Sequence, residues 1–332
     1  MGITECKIYI YQHPPPLTLK KRKKLKRLLW TVALGFLLMN MVAIFHAYKF
    51  THFVVTETAK TKDPKKLSTE QKITTLLFGV NNPRPVNTQV PATAYETVIL
   101  QSNQKIACWS INAANPKGTV ILFHGFGEEK SSLLDKAAIF REKGFNTFLV
   151  DFMGSGGSEG NQTTIGFFEA EQVKTCYDYL TEKGETNIFL FGTSMGSVAI
   201  MKAISDFGLN PTGIIIECPF GSMYETVCAR FKTMHAPTFP MAGLLVFWGG
   251  LQNGFWAFGH NATEYAKNIT CPTLLLYGQL DNKVSKAEID EIFTNLAGPK
   301  VWKCYPNAGH ENYLTQYKFE WTTDIMQFLA VG

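Results

Sequence analysis

No two of the seven cysteines, Cys6, Cys108, Cys176, Cys218, Cys228, Cys271 and Cys304, stand at C-x-x-C spacing or cluster with histidines as a structural zinc site requires. No metal site is therefore expected. Several of these cysteines lie in apolar stretches and read as small buried hydrophobes; in an oxidising compartment Cys218 and Cys228 are a pair that a bridge would join. The sequence also lacks a G-x-x-x-x-G-K-[ST] run, and the glycine-rich stretch 154–160 is not followed by an acidic residue at dinucleotide-binding spacing. Nucleotide chemistry is thereby disfavoured, and no cofactor is expected. Internal repeats and low-complexity tracts are missing too. The net charge of +5 owes much to one run, Lys20-Lys21-Arg22-Lys23-Lys24-Leu25-Lys26-Arg27, which leaves the rest near neutral and argues against a nucleic-acid-binding face. What remains, 45% hydrophobic and 18% charged residues over 332 positions, is enough to bury a large core.

One absence is local. Residues 28–48 contain no Asp, Glu, Lys or Arg, and about 20 residues of helix cross a hydrocarbon core. Trp30 and Tyr48 stand near the ends, where amphipathic rings favour the interface. A cleaved signal peptide is the competing reading, but its apolar core is roughly 7–15 residues and ends in small residues. Here the run ends His46-Ala47-Tyr48-Lys49-Phe50. The denser basic flank precedes the span, which predicts a cytoplasmic N-terminus and an extracytoplasmic domain. The organisation expected is a basic cytoplasmic tail at 1–27, an anchor at 28–48, a linker or stalk at 49–92, and a catalytic domain at 93–332. Within the stalk are Lys62, Asp63, Pro64, Lys65 and Lys66.

Beyond residue 95, short β-branched runs alternate with helical periods, as in a mostly parallel sheet covered on both faces. Strands are expected at 97–100, 105–111, 119–123, 147–151, 188–191, 212–216, 273–277 and 301–305. Helices are expected at 131–143, 167–183, 195–207, 285–296 and 313–329.

The sharpest motif is Gly192-Thr193-Ser194-Met195-Gly196, between an apolar strand and a small-residue helix. Glycines around the serine permit a tight strand-to-helix turn that lifts the hydroxyl clear of the sheet and aims a helix N-terminus at a reacting carbonyl. His124-Gly125-Phe126-Gly127 follows an earlier strand. The Phe126 and Met195 backbone N–H groups suit an oxyanion hole, while the His124 side chain reads as a structural loop histidine. Asp281 comes just past a later strand and His310 in the loop before the last helix, which completes the order Ser, Asp, His. Glu217, ending the strand 212–216, is the alternative acid.

From about residue 95 to the end, the chain resembles the α/β-hydrolase fold family, and most of all its monoglyceride-lipase-like and serine-aminopeptidase-like branch, which has membrane-anchored members. The stretch 151–160 is similar to that branch's D-x-x-G-x-G-x-S-x-G loop, with Met153 where an arginine is often found. The resemblance implies an eight-stranded, mostly parallel sheet with helices on both faces and a lid inserted at about 220–269. Phe247, Trp248 and Trp256 are the candidate lid residues facing substrate. Asn161, Asn261 and Asn268 each begin an N-x-[ST] sequon.

The function expected is acyl-bond hydrolysis by Ser194, with His310 as base and Asp281 orienting it, on a small-molecule acyl substrate for which a lipid ester is favoured. An aminopeptidase-like amidase, an acyltransferase and a non-catalytic membrane scaffold are the alternatives. Activity is expected to rise around pH 6–7 if His310 keeps an ordinary imidazole pKa.

Overall fold

A computed structural model describes residues 19–54 and 68–330. Cys6 and the stalk residues Lys62, Asp63, Pro64, Lys65 and Lys66 lie outside the described residues. The chain divides into two compact units, one ending at Met41 and one beginning at Val42. Helix α1 (Leu19–Thr51) incorporates the basic run as well as the apolar one. Among the described residues it is the one helix long and apolar enough to cross a membrane. Its apolar side chains, among them Leu28, Leu29, Trp30 and Val32, are exposed, as those of a lipid-facing helix would be.

In the second unit, α2 (Thr69–Phe78) opens on a capping box in which the Ser68 and Gln71 side chains each accept the other's backbone N–H. The sheet then begins with β1 (Glu96–Gln101), β2 (Lys105–Ile111) and β3 (Thr119–Phe123), followed by α3 (Leu134–Glu142) and β4 (Asn146–Val150). Next come α4 (Glu169–Glu182), β5 (Ile188–Thr193), α5 (Met195–Phe207) and β6 (Gly213–Glu217). An insertion carries α6 (Met223–Thr233), α7 (Met241–Asn253) and α8 (Ala262–Tyr265). The chain returns through β7 (Thr273–Gly278), α9 (Lys286–Asn295), β8 (Lys300–Tyr305), α10 (Tyr313–Gln316) and α11 (Lys318–Leu329).

The eight strands form one sheet in the order β1-β2-β4-β3-β5-β6-β7-β8. β2 pairs antiparallel with β1 and β4, and every pairing from β4 through β8 is parallel. The central strands are apolar throughout because both faces are covered. Period-two alternation then sorts them: Ile121, Leu190 and Ile216 enter one core with Val173 of α4 and Val198 of α5. Val120, Leu122, Phe189 and Ile215 enter the other with Phe140 of α3 and Trp321 of α11.

Two helices differ from expectation. The helix expected from 131 starts as a 3₁₀ turn at Lys130–Leu133, where Asp151 accepts from both the backbone N–H and the ammonium of Lys130. The helix expected over 313–329 breaks at Tyr317, whose backbone leaves the helical region (φ −121°, ψ 44°). Residues 82–88, read from the sequence as linker, lie against the domain. The Arg84 guanidinium donates to the carbonyls of Gly156 (2.8 Å) and Ser158 (2.5 Å), and Asn87 donates to Asp151 (2.9 Å).

Candidate active site

β5 delivers the chain to the turn at Ser194 and α5 leads it away. Ser194 has φ 50° and ψ −108°, a positive-φ conformation that costs a non-glycine residue about 1–3 kcal/mol. Neighbouring bonds hold it there: the Ser194 N–H donates to the Glu217 carbonyl (2.8 Å), and the single Ser197 hydroxyl proton is shared between the carbonyls of Gly192 (2.7 Å) and Glu217 (2.9 Å). The flanking glycines are required by space. A Cβ on Gly192 would stand 2.6 Å from the Gly196 carbonyl carbon, and one on Gly196 would stand 2.4 Å from the Phe123 oxygen.

His310 approaches from the loop after β8. Its Nε2 is 3.0 Å from the Ser194 hydroxyl oxygen, and its Nδ1 is 2.7 Å from Asp281 Oδ2. The other Asp281 oxygen accepts the backbone N–H groups of Lys283 (2.8 Å) and Val284 (3.0 Å), which fixes the carboxylate. A carboxylate at Nδ1 selects the tautomer with the proton there and leaves Nε2 to accept from serine. Burial opposes charge on His310, but Cys218 and Asp281 outweigh it and raise the imidazole pKa above its ordinary value.

Cys218 is a neighbour that sequence reasoning did not place in the site. It follows β6 at φ 38°, and its Sγ is 4.0 Å from His310 Nε2. Both Cys218 and Cys228 are free thiols. Cys218, Asp281 and His310 bring donor atoms within 4.8 Å of one another, near enough to share a cation. Asp281 and His310 are already bonded to each other, however, an arrangement suited to proton transfer.

Glu217, the alternative acid, is not brought to His310. Its fully buried carboxylate accepts the Trp321 indole N–H (2.6 Å) and faces the Lys136 ammonium at 3.5 Å. Burial raises its pKa, with Lys136 opposing. The resemblance to the fold family made it a candidate, whereas Trp321 of α11 and Lys136 of α3 engage its carboxylate. His124 is structural, as read: it is buried, its Nε2 accepts the Phe152 N–H (3.1 Å), and its Nδ1 donates to the Gly125 carbonyl (2.8 Å).

A cavity of about 170 Å³ opens beside the serine, lined among others by Phe126, Ser194, Cys218, Phe220, Arg230 and His310. Met195 directly follows the serine as the first residue of α5. Phe247, Trp248 and Trp256, expected to face substrate, are not among the residues that line this cavity. Phe247 meets Trp248 edge-on at 5.2 Å, and Trp256 lies 5.1 Å from Phe258 and is 64% exposed. Helix α7, which carries Phe247 and Trp248, is tied to the end of α1: Gln252 donates to the Ile44 carbonyl (2.9 Å) and Asn253 to the Thr51 hydroxyl (3.2 Å). Instead, α6 supplies the cavity with Thr226 and Arg230, and the α1 end supports it through Phe50, stacked on Phe126 at 4.7 Å.

Residues 114–246 match the family model described as serine aminopeptidase, S33. The uncharacterized protein YqkD of Bacillus subtilis is 24% identical over 217 residues, which cover 64% of this chain and 70% of that protein. An uncharacterized membrane protein of Saccharomyces cerevisiae is 26% identical over 133 residues, 40% of this chain and 47% of the yeast protein. Among solved structures, an esterase of Pyrococcus furiosus superposes with a TM-score of 0.63 at 21% identity, covering 75% of this chain and 97% of the esterase. The sheet order, the turn at Ser194 and these likenesses agree: the chain has the α/β-hydrolase fold, and over its middle part it is similar to the serine aminopeptidase family.

Proposed function

We propose that this chain is a membrane-anchored serine hydrolase that cleaves a carboxylic ester. The observation that carries the reading is the unbroken bond chain from Ser194 through His310 to Asp281, 3.0 Å and 2.7 Å, at a cavity wall. In this mechanism Ser194 attacks the ester carbonyl and passes its proton to His310 Nε2, while Asp281 steadies the imidazolium. The negative oxygen of the tetrahedral intermediate is held by the N–H groups of Phe126 and Met195. Collapse expels the alcohol, which takes the proton from His310. Water then repeats the sequence on the acyl-serine and releases the acid. The solved esterase of the same fold supports an ester as the bond. The family model favours a second reading, an aminoacyl amide cleaved by the same steps.

The test is labelling by a fluorophosphonate probe, followed by turnover of p-nitrophenyl esters and aminoacyl p-nitroanilides. The wild type should label and cleave the esters, and Ser194→Ala should lose labelling and at least ~10³-fold in turnover. Undiminished turnover in Ser194→Ala would end the serine-hydrolase reading, and preference for the anilides would replace ester by amide.

A further inference from the structure

The cavity beside Ser194 holds a cation that the proposed chemistry leaves unused. Arg230 lies on α6 four residues after Thr226, and that helical spacing puts both side chains on the cavity face. The guanidinium carbon stands 4.0 Å from the ring centre of Phe50 and 5.7 Å from that of Phe126. Stacking engages the flat faces of a guanidinium and leaves its N–H edge, the part that grips a carboxylate or phosphate bidentately. Arg230 has no acidic partner within ion-pair distance among the described residues.

The other charges in the wall are differently placed. Lys136 faces Glu217 at 3.5 Å and donates to Asn312 at 2.7 Å. Glu128 accepts the Gly125 N–H (3.2 Å) and Glu311 the Gly309 N–H (3.2 Å), so each carboxylate is folded onto its own loop. Lys283 is as exposed as Arg230 and is set apart by its place two residues after Asp281, whose Oδ1 accepts its backbone N–H (2.8 Å). Arg230 is exposed, and a guanidinium in contact with water stays charged at neutral pH.

We propose that Arg230 is the anion-binding residue of this site, and that the substrates are esters carrying a carboxylate or a phosphate on one arm. The substrate class rests on the hydrolase reading above; the anion site does not. The experiment compares kcat/KM for p-nitrophenyl hydrogen glutarate and for 1-butyryl-glycerol 3-phosphate with that for neutral p-nitrophenyl butyrate, using the full chain in detergent. Arg230→Gln should lower the anionic-to-neutral ratio by ~10–100-fold, the scale of a lost charge-assisted hydrogen-bond pair, and Arg230→Lys should restore part of it. The anionic ester that loses more identifies carboxylate or phosphate as the group bound. An unchanged ratio, with equal loss on all three esters, would make Arg230 a clamp on Phe50 and Phe126 and overturn the proposal. Calorimetry of monobutyl glutarate with Ser194→Ala reads the same residue without turnover. Binding that weakens at least ~10-fold on adding Arg230→Gln upholds the anion site even if wild type cleaves no ester, a result that would sink only the hydrolase reading. Binding that does not weaken sinks the anion site.

Discussion

Glu217 ends β6 and Asp281 follows β7, and the surroundings of these two carboxylates separate their roles. Asp281 accepts from His310 and two backbone N–H groups, whereas Glu217 is committed to Trp321 and Lys136. Asp281→Asn should therefore lower kcat/KM by several orders of magnitude, on the order of 10⁴-fold where the wrong imidazole tautomer results. Glu217→Gln should act chiefly on stability, by about 3–5 kcal/mol, because it leaves the Lys136 ammonium buried without its counter-charge. Ester kinetics beside urea denaturation separate the two, and the reverse pattern would reassign the acid. Protonation of His310 supplies a second test. A base must be neutral to accept the serine proton, so activity rises as pH passes its pKa, which Cys218 and Asp281 hold above the ordinary 6.5. The acid limb of kcat/KM should lie above pH 6.5 and move to lower pH in Cys218→Ala. The same raised pKa favours the folded protein: that contribution is complete below 6.5 and is lost as pH climbs through the folded value. An acid limb that Cys218→Ala leaves in place would remove the thiol from the titration.

At the scale of elements, sequence periodicity located the sheet closely. β-branched runs bounded by turns predicted all eight strands, because buried parallel strands must be apolar on both faces. It also placed the Ser194 turn, since tight strand-to-helix geometry admits glycine alone at Gly192 and Gly196. The insertion was legible as apolar but not in its facing. Aromatic residues at 247, 248 and 256 satisfy a lid, a helix pair or a membrane-contact surface equally well, and only the packing of α7 on the end of α1 chooses. Polar substitutions at Phe247 or Trp256 should therefore leave the acyl-chain-length profile of p-nitrophenyl esters unchanged, whereas Phe220→Ser, within the cavity wall, should depress the longer esters selectively. A profile flattened by the Trp256 change would bring that residue back to the substrate.

For the whole molecule, the charge flanking the apolar helix bears on topology. The basic run ahead of Leu28 predicts that the catalytic domain is extracytoplasmic. Protease added to intact cells, or to spheroplasts of a bacterial host, should then cut the stretch Lys60 to Lys66; cutting only after lysis would reverse the orientation. By itself the sequence determined the strands and the apolar helix, and it set out the candidate serine, two candidate acids and the candidate histidine in their order, because each is written in local periodicity, turn chemistry or spacing. Tertiary structure decided which carboxylate meets His310, that Cys218 stands beside the imidazole, and that Arg230 rather than the α7 aromatics faces the cavity. These facts depend on contacts between residues far apart in the chain, such as Ser194 with His310 and Phe50 with Arg230, which sheet order and helix packing bring together and local pattern does not encode.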